Sequence, residues 1–545
     1  MELVYPRTKT IQEDKVSGFC PGCMHSTVVK LIGEVLEEMN LVEKAVMITG
    51  IGCCSSSRVL RWAASRSRMK RTGEELENGS FPVPSPCDRR NTMSFRKDFI
   101  WGAATASYQI EGAAFEGGKG PSVWDRFSHE SGKILEGHNG DVACDHVHRF
   151  REDVALMQEL GIRNYRFSIS WPRLIPEGVG AVNEEGVAFY NALIDALLEA
   201  GIRPIVTLFH WDYPCALQSR GGWENPDSSA WFEQYAALCA ERFGDRVKDF
   251  ITFNEPQCFI GLGYCAGVHA PGYVLPLSST VPMSHHVLKA HGLAVQALRA
   301  RVPGVRVGYA PCADPRIPAS ADPRDVEAAR RAYFAVEDDP QGWAFNVAWW
   351  SDPVLLGHYP EDGLRHFEKY LPRGWEEDLA IIHQPLDFYC QNIYSGRVTR
   401  ACDQAPGYEQ VPLPVGHGKT AIQWPVTPDA LYWGPKFLYE RYRTPLMISE
   451  NGMSSHDVVS LDGQVHDPQR QDYMHRYLLA FKRAAEDGVD AIGYLAWSLM
   501  DNFEWAYGYT ERFGLVYVDY ATQERIVKDS ARWYKRVMET NGECL

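Results

Sequence analysis

One pattern recurs from residue 93 onward and limits what the chain can fold into. A short run rich in β-branched or aromatic residues is followed by a longer run with helical spacing of its apolar positions. The short runs are Phe99–Ala103, Asn164–Ile169, Pro204–Phe209, Phe250–Phe253, Val305–Ala310, Leu386–Gln391, Pro445–Ser449 and Ala491–Leu495, eight in all. Between them lie amphipathic stretches such as DHVHRFREDVALMQELG and NEEGVAFYNALIDALLEAG. The first places Val147, Phe150, Val154, Leu156, Met157 and Leu160 at helical spacing, and Gly161 supplies the stop. Strands alternating with helices imply a parallel sheet with right-handed crossovers. Eight such units predict an α/β fold, a (β/α)8 TIM barrel; an open doubly wound sheet is the alternative.

That architecture gives meaning to the polar residues that close the runs, because the C-terminal strand ends of a barrel carry the active site. The fourth run leads into Thr252-Phe253-Asn254-Glu255-Pro256, and the seventh into Ser449-Glu450-Asn451-Gly452. Two glutamates at the ends of strands four and seven would face each other across the barrel mouth. A carboxyl pair flanking a bond is what glycoside cleavage requires, one group to protonate the leaving oxygen and one to attack the anomeric carbon. Other strand ends add Gln109, Arg166, His210-Trp211, Asn392, Tyr394, Trp497 and Glu504-Trp505. Amide, imidazole and carboxyl groups hydrogen-bond sugar hydroxyls, and an indole lies against the C–H face of the ring.

The net charge of −15 argues against nucleic acid or an anionic membrane surface as partner. Gly418-Lys419-Thr420 lacks the first glycine of a phosphate loop, since Leu413 stands there. No cofactor and no metal are expected. The N-terminal stretch has no apolar signal core and no apolar run reaches spanning length. Fourteen cysteines, several inside apolar segments, read as reduced thiols, which points to the cytoplasm.

On these residues the chain resembles a known family. FIWGAATASYQIEG, YRFSISWPRL, TLFHWDYP, TFNEP, ISENG and WSLMDNFEWAYGYTERFGLVYVD are similar in order and spacing to family 1 glycoside hydrolases of the bacterial β-glucosidase kind, over residues 93–542. The resemblance implies that Glu255 is the general acid/base, Glu450 the nucleophile and Asn254 the holder of the 2-hydroxyl. It further implies that Arg166 and Tyr394 contact the nucleophile. Gln109, His210, Trp211, Glu504 and Trp505 would grip the remaining hydroxyls, and Trp497 would form the platform under the sugar. A retaining double displacement on small-molecule β-glucosides follows: cellobiose, short oligosaccharides and aryl or alkyl glucosides. Tolerance of β-galactosides and β-fucosides and some transglycosylation are expected beside it. Phospho-glycosidases of the family carry Ser and Lys after the eighth strand; here Glu504-Trp505 stands there, and a carboxylate would repel phosphate. Ser449 stands where the family usually has Thr, Ile393 replaces a common aromatic, and Gln257-Cys258 follows Pro256 where Trp is frequent.

Residues 1–92 are expected to be an N-terminal extension outside the catalytic domain 93–545. Residues 15–56 resemble a fragment of the thiamine-diphosphate-binding subunit of 2-oxoacid:ferredoxin oxidoreductases. There, residues matching Cys20 and Cys23 help ligate an iron–sulfur cluster. The resemblance covers a fraction of that subunit and lacks its cofactor-anchoring Gly-Asp-Gly. Two readings compete with hydrolysis: a transglycosylase using the same intermediate, and a silent carbohydrate-binding protein on the same scaffold.

Overall fold

The computed structural model describes residues 95–545 apart from positions 313 and 341. The extension, its cysteines and the boundary at residue 92 lie outside the described residues.

All eight strand-like runs are strands, and they close into one parallel barrel. They are β1 (Ile100–Ala104), β2 (Asn164–Ser168), β3 (Arg203–Phe209), β4 (Asp249–Asn254), β5 (Arg306–Ala310), β6 (Phe388–Asn392), β7 (Leu446–Asn451) and β8 (Ala491–Trp497). Each pairs with its neighbours in sequence, and β1 closes the ring on β8 in the register Ile100↔Gly493 through Ala104↔Trp497. The open sheet is thereby excluded. Five strands, β1, β4, β6, β7 and β8, are buried along their whole length, and β2, β3 and β5 are buried except at their first residue, as both faces of a barrel strand must be. Ile100, Ile205, Ile251, Phe388, Cys390, Met447 and Leu495 form part of a cluster separate from the larger one that includes the helix faces. The barrel is therefore filled, and the space for a ligand is at its mouth.

The helices follow the apolar pattern. In Glu184–Glu199 the buried set is Gly186, Val187, Tyr190, Leu193, Ile194, Ala196 and Leu197. In His146–Glu159, Val154 and Met157 are buried, and Gly161 at φ +70° stops the helix where the sequence reading placed it. The same helix also buries Asp153, which the pattern did not foresee. It accepts from Arg525 Nε at 2.9 Å and lies 2.7 Å from His146 Nδ1, partners that no local spacing reveals.

Two departures from the simple repeat matter. The seventh and eighth strands run two residues further than the runs that marked them, so Glu450 and Trp497 lie within strands, held by barrel pairing. The segment after β5 carries several helices before β6 is reached, and small sheets formed by residues 316–318, 397–401 and 408–410, and by 516–518 and 525–527, decorate the loops. Among the described residues no helix is long and apolar enough to cross a membrane.

The loop that follows β8 is tied to a largely buried charge network. Lys528 Nζ donates to Asp457 Oδ2 and to Asp501 Oδ1, both at 2.6 Å. Asp501 also accepts from Arg512 at 2.7 Å and from the Gly514 amide at 2.9 Å, and Arg470 reaches Asp457 at 2.7 Å. Removing one buried ion leaves its partners uncompensated, at a cost of about 3–5 kcal/mol. Lys528→Met is therefore expected to lower the unfolding free energy by about that amount. Urea unfolding followed by tryptophan fluorescence measures it, and an unchanged midpoint would contradict this account.

Candidate active site

Both glutamates sit where strand pairing is irregular. The β4–β5 register shifts between Ile251 and Asn254, and β7 shifts against β6 between Ile448 and Glu450. Such bulges re-aim a side chain near a strand end. Glu255 has a left-handed backbone, φ 44°, and donates its N–H to Ala310 O at 2.7 Å; Pro256 then opens the helix Pro256–Ile260. Trp211 and Trp505 share positive φ, 80° and 51°, which places three of the expected site residues in conformations that cost energy and persist only when packing holds them.

The buried Arg166 guanidinium ties the two strand ends together. Its Nη1 donates to Glu450 Oε1 at 2.6 Å and to Ser449 O at 3.2 Å. Its Nη2 donates to Asn254 Oδ1 at 2.6 Å, and its Nε to Thr207 Oγ1 at 2.9 Å. On the other side of Glu450, Tyr394 O–H donates to Oε2 at 2.7 Å. Asn392 joins the halves: its Nδ2 donates to Glu255 Oε1 at 2.8 Å and to Asn254 Oδ1 at 2.9 Å. Its Oδ1 accepts from Ser449 Oγ at 2.7 Å, so a serine hydroxyl suffices where threonine is usual.

The electrostatics separate the two acids. Burial and then the negative Glu450 push the Glu255 carboxyl up to about 8. Burial is the larger of the two causes. Glu450 is also raised by burial, but Arg166, Tyr394 and Asn392 pull against it. Among the described residues no cation touches Glu255, so Glu450 gives up its proton first and Glu255 keeps one.

The hydroxyl-binding candidates line up around this pair. Asn254 Nδ2 donates to His210 Nε2 at 3.0 Å, and burial and then Arg166 hold that imidazole well below its usual range. The neutral ring therefore carries its proton on Nδ1. Nδ1 of His210 and Oε1 of Gln109 are buried and without a hydrogen-bond partner among the described residues. Gln109 Nε2 is committed to Asn502 Oδ1 and Phe503 O, both at 2.9 Å, and to Glu504 Oε2 at 3.4 Å. One orphan donor and one orphan acceptor in a dry wall suit a hydroxylated ligand. Trp497 and Trp505 lie near-parallel to the His210 ring at 5.7 and 5.8 Å, and Trp211 packs on Trp505 at 4.4 Å. The Trp211 indole N–H is occupied by Asn254 O at 2.9 Å, so in this structure it positions Asn254.

Glu504 corrects one expectation. Burial, followed by the negative Glu450, raises its carboxyl to about 8, so at neutral pH it is a neutral acid that donates as well as accepts. Charge repulsion of a phosphate is not what it contributes. A residue whose role was not foreseen is Asn392: it was legible as a polar strand end, but its contact with both halves appears only once β6 stands between β5 and β7. Tyr473 and Tyr477 were not foreseen either; their hydroxyls donate to Tyr394 O at 2.7 and 2.9 Å and set the Tyr394 backbone.

Comparison with known proteins places the barrel among characterised relatives. Beta-glucosidase A of Thermotoga maritima is 44% identical over 456 residues, which is 83% of this chain and 99% of its own. A bifunctional beta-D-glucosidase/beta-D-fucosidase of Bifidobacterium breve is 42% identical over 469 residues, covering 82% of this chain and 98% of its own. The solved structure of the Thermotoga maritima beta-glucosidase in complex with glucoimidazole superposes with a TM-score of 0.76 at 43% identity, over 82% of this chain and 99% of that one. Residues 91–543 match the family described as Glycosyl hydrolase family 1, and the chain belongs to that family.

Proposed function

We propose that this protein is a retaining β-glucosidase acting on terminal, non-reducing β-D-glucosyl residues. The observation that carries the reading is the asymmetry of two buried, coupled carboxyls. Glu450 is held by Arg166 and Tyr394, while Glu255 meets an amide.

In the first step Glu450 attacks the anomeric carbon and Glu255 delivers its proton to the departing oxygen. The ester that forms removes the negative charge from Glu450, so Glu255 loses one of the two causes of its raised proton affinity. It then acts as a base, and water attacks the ester. One residue serves both steps because its partner's charge alternates. Asn254 keeps one N–H for the 2-hydroxyl after donating the other to His210. His210, Gln109, Glu504 and Trp505 take the remaining hydroxyls, and Trp497 underlies the ring.

Cellobiose, short oligosaccharides and aryl or alkyl glucosides are the expected substrates. The name of the Bifidobacterium breve relative supports tolerance of β-fucosides; β-galactosides and transglycosylation to alcohols or sugars follow as further side activities. A neutral Glu504 among orphan polar groups supports hydroxyls over phosphates as ligands. The nine described cysteines are free, in keeping with a cytoplasmic placement. Residues 93–545 are read as the complete catalytic unit, with 1–92 dispensable.

Glu450→Gly is expected to bring aryl glucoside turnover to the assay floor, with azide restoring part of it as the inverted glycosyl azide; near-normal activity without azide would end the assignment. Glu255→Gln should cost about 10²–10⁴-fold on substrates with poor leaving groups.

The pH profile of kcat/KM follows from the two acids. Activity needs Glu255 protonated and Glu450 ionised, so it should fall as pH rises beyond about 8 and also fall toward acid as Glu450 takes up its proton. Tyr394→Phe removes a charge-assisted hydrogen bond to ionised Glu450 and should move the acid limb to higher pH by roughly one to two units. An unmoved acid limb would show that another group sets it. Finally, a chain beginning at Met93 should keep the kcat/KM of the full chain; a tenfold loss would return residues 1–92 to the mechanism.

A further inference from the structure

A pair of cysteines stands against Glu255. Cys258 follows it on the helix Pro256–Ile260, and Cys312 lies just past the end of β5. Their Sγ atoms are 3.9 Å apart, and both side chains are half-buried. A carboxyl oxygen of Glu255 completes a set of three ligand-type atoms within 4.8 Å of one another.

The scaffold fixes the two thiols from both sides. Gln257 Nε2 donates to Cys312 O at 3.1 Å, and the Cys312 amide donates to Gln257 Oε1 at 3.3 Å, so one side chain clamps the two backbones together. Cys312 also bridges Asn392, the residue that donates to Glu255. The separation selects among thiol chemistries. A disulfide needs sulfurs at about 2.05 Å, so it would require both segments to move. Two thiolates at about 2.3 Å from a tetrahedral ion stand about 3.8 Å apart, which is close to the separation found.

We propose that Cys258, Cys312 and Glu255 form an inhibitory site for a thiophilic divalent cation, with Zn²⁺ as the fitting ion and one coordination position left to water. The proposal rests on the reading of Glu255 as acid/base. A carboxylate bound to the ion has no proton to give the leaving oxygen and is a poor base toward water, so occupancy stops both steps. On binding, the two thiols and the Glu255 carboxyl release their protons to solvent. The ion is an inhibitor and takes no part in turnover.

Zn²⁺ in chelator-buffered solution, added to the full chain hydrolysing an alkyl β-glucoside, is expected to inhibit at least tenfold, reversibly on adding EDTA. Cys258→Ser and Cys312→Ser, each compared with its own metal-free rate, should need about 10–100-fold more free Zn²⁺ for half-inhibition. Binding is read independently with Cd²⁺ through its ultraviolet thiolate charge-transfer band: Cys312→Ser should take up one Cd²⁺ fewer per chain than the parent. If Cys258→Ser does not fold, Cys312→Ser on the neighbouring segment carries the test. Unchanged Zn²⁺ sensitivity and unchanged Cd²⁺ uptake in the folded variant would overturn the site. Glu255→Gln separates the two readings: retained activity would refute the acid/base role, while Cd²⁺ titration of the same variant still reports on the thiol pair.

Discussion

A guanidinium with no contact with water has to find every partner inside the protein, and Arg166 finds them on three other strands. Thr207 on β3, Asn254 on β4 and both Ser449 and Glu450 on β7 accept from it. Burying an unpaired cation costs several kcal/mol, so Arg166 is tolerable only when the barrel is closed and these strands are in register. The same closure brings the carboxylate of Glu450 to the amide of Asn254, and through Asn392 to Glu255. Folding the barrel and assembling the site are one event for these side chains.

From that arrangement comes the electrostatic difference between two chemically identical acids. Both lose water, which raises both. Only one is given a cation and a phenol. The other meets an amide and a pair of thiols, and its affinity for a proton rises to about 8. The coupling runs through the charge of Glu450, the quantity that would change in the proposed double displacement. A wall of neutral polar groups surrounds the pair: His210 kept neutral, Glu504 kept protonated near pH 7, and Gln109 with its acceptor free. Such a wall suits hydroxyls, which both donate and accept, better than it suits ions.

The departures from the family's usual residues are explained by atoms rather than side-chain identity. Ser449 supplies the hydroxyl that Asn392 needs. Ile393 contributes through its backbone, its N–H to Glu450 O and its carbonyl to Asn451 Nδ2. Gln257 and Cys258 do something different: Gln257 clamps the Cys312 backbone, and Cys258 and Cys312 form a sulfur pair against Glu255.

Strand and helix periodicity, read along the chain, was enough for eight strands, the barrel, the stop at Gly161 and the two glutamates at strand ends four and seven. These are local signals: apolar spacing within an element and a polar residue where an element stops. The partners that give each residue its chemistry were not legible, because they come from other elements, tens to hundreds of positions away. Nothing near Glu450 announces Arg166, 284 positions earlier, and nothing near Asn392 announces that it spans Asn254 and Glu255. Burial decided the rest. Asp153 on an apolar helix face, a protonated Glu504 and a thiol pair beside Glu255 all depend on how much water the closed barrel excludes, and the chain in one dimension carries no record of that.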